Sequence, residues 1–180
     1  NIMLNQNGIY DGLMIENCIV RNSKFWGLSL NNPTITAQNI QIINSSFTNN
    51  GLAVDVNGIG CELININNFT ITGCNFSNNP SSGLSLQRAS NGVVSNIIIE
   101  NVGNPALGIG NRNAVAMWEY LGTSSDITFN NPTISNNNGR GIMLGTQAAS
   151  NTITGFSVTG GVFSDNAAQH LLIYQSVPEG

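Results

Sequence analysis

The sequence is short of charge, of aromatic rings and of the side chains that most often carry chemistry. Charged residues make up 8% of its 180 residues and aromatic residues 7%, with one histidine, three cysteines and five prolines. Five basic residues stand against nine acidic ones, a net charge of −4. Nucleic-acid binders displace counterions with a basic stripe; none is present, so nucleic acid is excluded as a partner. No apolar run approaches the roughly 20 residues that a helix needs to span a bilayer, so no membrane span is expected. The single histidine and scattered cysteines form no Cys-x-x-Cys or His cluster with zinc spacing. No cofactor and no metal ligand set is expected, and only a surface Ca²⁺ site is left open.

Hydrophobic residues nevertheless reach 41%. Asn, Gly, Ser and Thr fill the rest, and Asn is the commonest residue. Low charge with frequent Ile, Leu, Val and Phe points to a packed core rather than disorder. The polar residues must then belong to a regular architecture. Asn1 already lies in repeat-like sequence, so the expectation is a single domain over 1–180 that is a piece of a longer chain, with no compartment legible from its ends.

Six segments align with one another: Leu13-Met-Ile-Glu-Asn-Cys-Ile-Val20, Ile40-Gln-Ile-Ile-Asn-Ser-Ser-Phe47, Phe69-Thr-Ile-Thr-Gly-Cys-Asn-Phe76, and those starting at Ile97, Ile127 and Phe156. Positions one and three are apolar throughout. Position five is Asn17, Asn44, Gly73, Asn101, Asn131 and Gly160, and position eight is Val20, Phe47, Phe76, Ile134 and Phe163, with Asn104 as the one break. A second set begins at Gly27, Gly51, Gly83, Ala106, Gly141 and His170. Both sets alternate with period two, the signature of strands. A unit of about two dozen residues with loop insertions fits a solenoid.

A short strand cannot bury its apolar side alone, but stacked coils place like above like about 4.8 Å apart. Asn and Gly accept the left-handed backbone that tight corners require, and stacked Asn amides hydrogen-bond along the axis. A second row, Asn39, Asn68, Asn96 and Asp126, precedes the first strand set and makes Asp126 a ladder member. The expected fold is therefore all-β, a right-handed parallel β-helix of about six to seven coils. Strict six-residue periods and Leu-x-x-Leu-x-Leu repeats are both absent, which excludes left-handed hexapeptide helices and leucine-rich repeats.

This pattern resembles the pectate-lyase-like superfamily of right-handed β-helices over nearly the whole chain. Ser81-Ser-Gly-Leu-Ser-Leu-Gln-Arg88 and the coils after it resemble the β-helical module of mannuronan C5-epimerases, and the Asn-rich coils are similar to phage tailspike shafts. The Asp-Pro-His motif of the epimerases is absent, as are the polygalacturonase signatures Asn-Thr-Asp, Asp-Asp, Gly-His-Gly and Arg-Ile-Lys. The resemblance implies a polysaccharide partner and a lyase, epimerase or hydrolase. Its alternatives are a tailspike or receptor-binding shaft, homotrimeric rather than monomeric, and a non-catalytic adhesin. It also implies a secreted, cell-surface or virion location.

Outward side chains of one face of such a fold make a shallow groove walled by insertions. The second strand set offers Ser29, Ala53, Ser85, Gly108, Met143 and Leu172 in one outward row. The next row is Asn31, Asp55, Gln87, Gly110, Gly145 and Tyr174, with Arg88 and Arg112 close behind. Between Asn111 and Thr123 an insertion adds Trp118, Glu119 and Tyr120. Rings stack on sugars, and a carboxylate binds hydroxyls or moves protons; the alternative is that Trp118 only packs the insertion against the coil. Lys24-Phe-Trp26 is a second candidate wall. Hydrolysis takes two carboxylates about 5–9.5 Å apart, for which Asp55 and Glu119 are the candidates. Elimination or epimerisation takes a base and a positive charge, for which Arg88, Arg112, Tyr120 and Tyr174 are available. The expected catalytic residues are Asp55, Glu119, Arg88 and Arg112, and the expected substrate-binding residues Trp118, Tyr120, Tyr174 and Gln87.

Other reactive residues read as structural. Cys18 and Cys74 share position six two coils apart, about 9–10 Å, beyond the roughly 7 Å limit of a disulfide. Cys61 is expected in an insertion and semi-exposed, Glu16 and Glu100 together on the solvent side, and His170 at a strand start.

Overall fold

The computed structural model describes residues 2–4, 10–31, 36–52, 57–119, 122–146 and 150–175. Among them every strand pairing is parallel, and the one helical element is a 3-10 turn, Ile109–Asn111. The chain winds through three faces. The first stacks Ile2–Leu4, Leu28–Asn31, the opening half of Ile59–Thr72, the opening half of Ser82–Ser95, Asn113–Glu119, Arg140–Thr146 and Leu171–Gln175. The second stacks Met14–Glu16, Ala37–Ile43, the closing halves of the two long strands, Thr123–Asn130, and the pair Thr152–Thr154 and Ser157–Thr159. The third carries Ile19–Arg21, Ser46–Thr48, a bridge through Asn75, Ile98–Glu100, Thr133–Ser135 and Val162–Ser164. Seven passes through the first face match the expected coil number.

Corners are made by residues in the left-handed region, and they form rows. Asn17, Asn44, Gly73, Asn96, Asn131 and Gly160 turn the second face into the third, with φ between 47° and 65°. Asn22, Asn49, Asn78, Asn101, Asn136 and Asp165 end the third face, with φ between 52° and 60°. A bend inside the second face uses Gly12, Asn39, Asn68, Asn91, Asp126 and Gly155, so Asp126 is the ladder member its row suggested. The Asn68 amide donates to Asn39 Oδ1 at 2.5 Å, and the Asn39 amide to Asp11 Oδ1 at 2.6 Å. Asn is the L-residue that tolerates this backbone best, which accounts for its abundance.

A buried ladder lies just past the third face and was not legible as a row. Asn79 donates to the carbonyls of Phe47 and Phe76 at 2.9 and 2.7 Å and accepts the Asn50 N–H at 2.9 Å. Asn137 donates to Asn166 Oδ1 at 2.8 Å and accepts the Val102 N–H at 2.9 Å. Each amide meets backbone groups that would otherwise be unpaired in the interior, where an unmet group is costly.

The core consists of rows along the axis. Leu28, Cys61, Leu84, Val115 and Ile142 stack on the first face, each with no measurable exposure. On the third face the row is Val20, Phe47, Phe76, Ile99, Ile134 and Phe163, in which the Phe47 and Phe76 rings stack 5.6 Å apart and 12° from parallel. Ile99 removes the break assigned to Asn104. The repeat of that coil starts at Gly92 and not at Ile97, because Val93 pairs with Thr70 and Thr128. Gly92 escaped the apolar pattern for a steric reason: a Cβ there would lie 2.0 Å from Phe69 Cζ, so the neighbouring ring fills its place. The same shift moves Asn96 and Asn101 into the two corner rows given above, and Glu100 onto the third face, where its carboxylate accepts the Ser135 hydroxyl at 2.8 Å.

Cys18 and Cys74 are free thiols, as their separation requires. Cys61 is a correction: it is a fully buried core residue, not a semi-exposed loop residue, and burial pushes its thiol well above the ordinary value. Its strand is Ile59–Thr72, whereas the expected second-set strand at Gly51 is not where the first face passes. His170 sits at the start of the last strand, with Nδ1 3.0 Å from the Asn166 amide.

Candidate functional site

Strand alternation sends every second side chain of the first face outward. One outward row is Ser29, Glu62, Ser85, Ala116, Met143 and Leu172. Glu62 and Ala116 stand where Ala53 and Gly108 were expected. Two residues further along the strands, Trp118, Gly145 and Tyr174 align with one another on successive coils, and Gln87 lies one coil before Trp118. On the other side, Ile59, Ser82, Asn113 and Arg140 form a third row. All of these except Ser29 and Gly145 line a groove of about 480 Å³.

Glu62 is the carboxylate of this groove. It is 8% exposed, accepts the Ser29 hydroxyl at 3.0 Å and has Ser85 beside it on the next coil. Burial raises its pKa above the ordinary glutamate value; the Ser29 hydroxyl and the nearby Trp26 indole pull the other way without cancelling the effect. A carboxyl group shielded in this way retains its proton to higher pH and can donate it.

The aromatic part of the groove depends on a glycine. The Trp118 and Tyr174 rings stack 5.9 Å apart and 15° from parallel, with Gly145 between them in register. A Cβ on Gly145 would come within 2.2 Å of Trp118 Cε3. The indole therefore lies down over the glycine and reaches Tyr174, which is 49% exposed. A flat apolar surface of this kind is one on which a ring can stack, and the Gln87 amide lines the same groove.

Of the expected substrate-binding residues, Gln87, Trp118 and Tyr174 share the groove; Tyr120 lies outside the described residues, as does Asp55. Three expected catalytic residues are corrections. Glu119 is not on an insertion wall: it closes the strand Asn113–Glu119, has no exposure, and points into the corner, where it accepts the Arg88 backbone N–H at 3.0 Å on each oxygen and the Ser124 hydroxyl. Arg88 is itself a corner residue with φ 46°, and its side chain runs alongside Gly122, whose Cβ would lie 3.1 Å from Arg88 Cδ. Arg112 packs along Gly103, whose Cβ would lie 3.0 Å from Arg112 Cβ. Neither arginine lines the groove. Of the second candidate wall, Lys24 sits 5.4 Å over the Phe25 ring, and Trp26 is the member that approaches Glu62.

Among the described residues the groove cation is instead Arg140, and Glu62 and Arg140 are the two charged groove residues that the sequence pattern did not reveal. A signal for Glu62 existed. Gly60-Cys-Glu-Leu63 has the spacing of Gly27-Leu-Ser-Leu30 and Gly83-Leu-Ser-Leu86, but Gly51-Leu-Ala-Val54 matched the same template and came first. For Arg140, one residue before Gly141, the pattern carried no signal of orientation.

Among the described residues no group of three or more His, Cys, Asp and Glu gathers into a metal site, and no helix is long and apolar enough to cross a membrane. No curated protein matches the chain, and no solved structure matches it. The family model described as a right handed beta helix region matches residues 2–176, and with the parallel three-faced winding seen here the chain belongs to that right-handed β-helix family.

Proposed function

We propose that the chain binds a polysaccharide in the groove of its first face and acts on it through Glu62. One observation carries the reading: the Trp118–Tyr174 stack and Gln87 share a single groove with a shielded carboxyl group. By register, Glu62 and Trp118 are two coils and two residues apart, about 12 Å, so a glycan stacked on the indole extends past the carboxyl. There Glu62, retaining its proton, can donate to a glycosidic oxygen while Ser29 and Ser85 hold hydroxyls. No second carboxylate among the described residues lines the groove, so a two-carboxylate hydrolysis is not assembled by them alone. The reading implies a protein that meets polysaccharide outside the cell, secreted or on a cell or virion surface.

The test is product analysis by mass spectrometry after incubation with acidic and neutral polysaccharides, with Glu62→Gln in parallel. Unsaturated products establish elimination and hydrated ones hydrolysis, and either must be lost in the variant. Binding without products leaves a carbohydrate-binding β-helix; products undiminished in Glu62→Gln remove Glu62 from the reaction. Oligomeric state from sedimentation separates the monomer expected of an enzyme from the trimer of a tailspike shaft.

A further inference from the structure

Trp26 carries a buried indole N–H that has no hydrogen-bond partner among the described residues. Buried indole nitrogens ordinarily find an acceptor, so the surroundings of this one matter. Trp26 stands two residues before Leu28, which is in register with Cys61; it is therefore opposite Ile59, at the start of the strand that carries Glu62. Its turn is pressed onto that strand. The Gly27 N–H donates to the Ile59 carbonyl at 3.0 Å, and a Cβ on Gly27 would lie 2.5 Å from the Gly60 carbonyl oxygen. Glu62 is the acceptor that the indole approaches without completing a hydrogen bond. The Ser29 hydroxyl donates to its Oε2 at 3.0 Å, which leaves Oε1 for a second donor. Burial pushes the Glu62 pKa up, and Ser29 and Trp26 are the two groups that favour its charged form.

We propose that Trp26 is a positioning residue for Glu62, its indole N–H taking up the charge that Glu62 acquires when it gives up its proton. This rests on the groove reading given above and adds to it the group that stabilises the ionised state. In the step, the O–H bond of Glu62 breaks, an O–H bond forms to the sugar oxygen, and the electron pair stays on Glu62 as a carboxylate. An anionic oxygen draws a donor more strongly than a neutral acid does, so the N–H closes on Oε1 as the charge appears. A donor already in place stabilises that charge with little reorganisation. Among the described residues no charged group near Glu62 competes for this task. The flanking segments Leu28–Asn31 and Ser82–Gln87 hold no charged residue, and Cys61 faces the core as a buried thiol. Lys24 lies over the Phe25 ring at 5.4 Å, and Arg140 is three coils away by register, about 14 Å.

The chain has two tryptophans, so NMR of their indole N–H groups tests this, the Trp26 resonance being the one that Trp26→Phe removes. As pH is raised, that resonance should move downfield with the same midpoint as the Glu62 carboxyl carbon, and Glu62→Gln should abolish the movement. Trp26→Phe keeps a ring in place and removes the donor to the charged form, so the Glu62 midpoint should rise by about one pH unit. A Trp26 resonance that ignores pH overturns the proposal, as does one that moves equally in Glu62→Gln. An unmoved or lowered Glu62 midpoint in Trp26→Phe overturns it too. Should Trp26→Phe fail to fold, Trp118→Phe identifies the resonance by elimination and the comparison with Glu62→Gln decides. None of these measurements depends on turnover. Absence of products in the polysaccharide incubation would overturn the groove reaction alone, whereas an uncoupled titration overturns the role of Trp26 alone.

Discussion

Glu119 and Arg88 meet across adjacent coils, the Glu119 carboxylate taking the Arg88 backbone N–H at 3.0 Å on each oxygen. Arg88 is a left-handed corner residue that is neither Asn, Asp nor Gly, a conformation costing roughly 1–2 kcal/mol. The carboxylate fixes that corner from the neighbouring coil, and the Ser124 hydroxyl it accepts also takes the Ala89 N–H at 3.0 Å. The contact explains why a glutamate next to a groove tryptophan faces away from the groove.

Glu119→Ala should therefore destabilise the fold by about 2–3 kcal/mol, because it leaves the Arg88 N–H and the Ser124 hydroxyl short of a buried partner. Urea unfolding reads the loss, and glycan affinity of the folded variant should be unchanged. Lost binding at full stability would put Glu119 back into the site.

Stability should depend on pH with an acidic optimum. Burial raises the pKa of both Glu62 and Glu119. A carboxyl group with a raised folded pKa binds more protons folded than unfolded, so stability falls as pH rises from the ordinary value of about 4.3 toward the raised values. Below that window the contribution is fully present. The melting temperature should drop from mild acid toward neutrality, and Glu62→Gln should flatten the slope. A melting temperature that rises across the window would contradict the burial of both groups.

Gly145→Val should weaken glycan binding with little loss of stability. Its side chain would enter the space of the Trp118 ring, 2.2 Å from Cε3, and lift the indole from its stack on Tyr174. Titration should show at least a tenfold loss, comparable to Trp118→Ala. Unchanged affinity in both variants would move the sugar site away from the aromatic stack.

Phe76→Ala should cost about 3–5 kcal/mol, since it empties a fully buried position in the third-face row. A loss below about 1 kcal/mol would contradict the stacking of Phe76 on Phe47.

Asn79→Leu should also be severe, for a different reason. The amide donates to two buried carbonyls and accepts a buried N–H, and leucine leaves all three unmet, at about 1–3 kcal/mol each before relaxation. A melting temperature within a degree or two of the parent would count against the internal ladder.

Much of the fold was legible because its instructions are local. Alternation marked the strands, and Asn or Gly at fixed offsets marked the corners, since a left-handed residue needs no distant partner to reveal it. Two coils resisted. At Gly92 the apolar position is filled by the Phe69 ring of the neighbouring coil, so the row looked broken and the repeat was displaced to Ile97. At Gly51 an apolar run imitated the first-face strand that lies at Ile59–Thr72. The second error carried Asp55 into the expected site and kept Glu62 out of it.

Half of the site was visible for the same reason as the fold. Gln87, Trp118 and Tyr174 lie in the groove because strand parity alone sends them outward. The roles of Glu119, Arg88 and Arg112 were not visible, because they depend on which corner each side chain occupies. By itself the sequence determined a low-charge parallel β-helix, its corners and most of its core rows, all of which follow from short-range pattern repeated along the chain. Tertiary structure alone decided which carboxylate and which guanidinium share the groove, because insertions of unequal length set the register between coils, and a single shifted register exchanges the residues on the outer face.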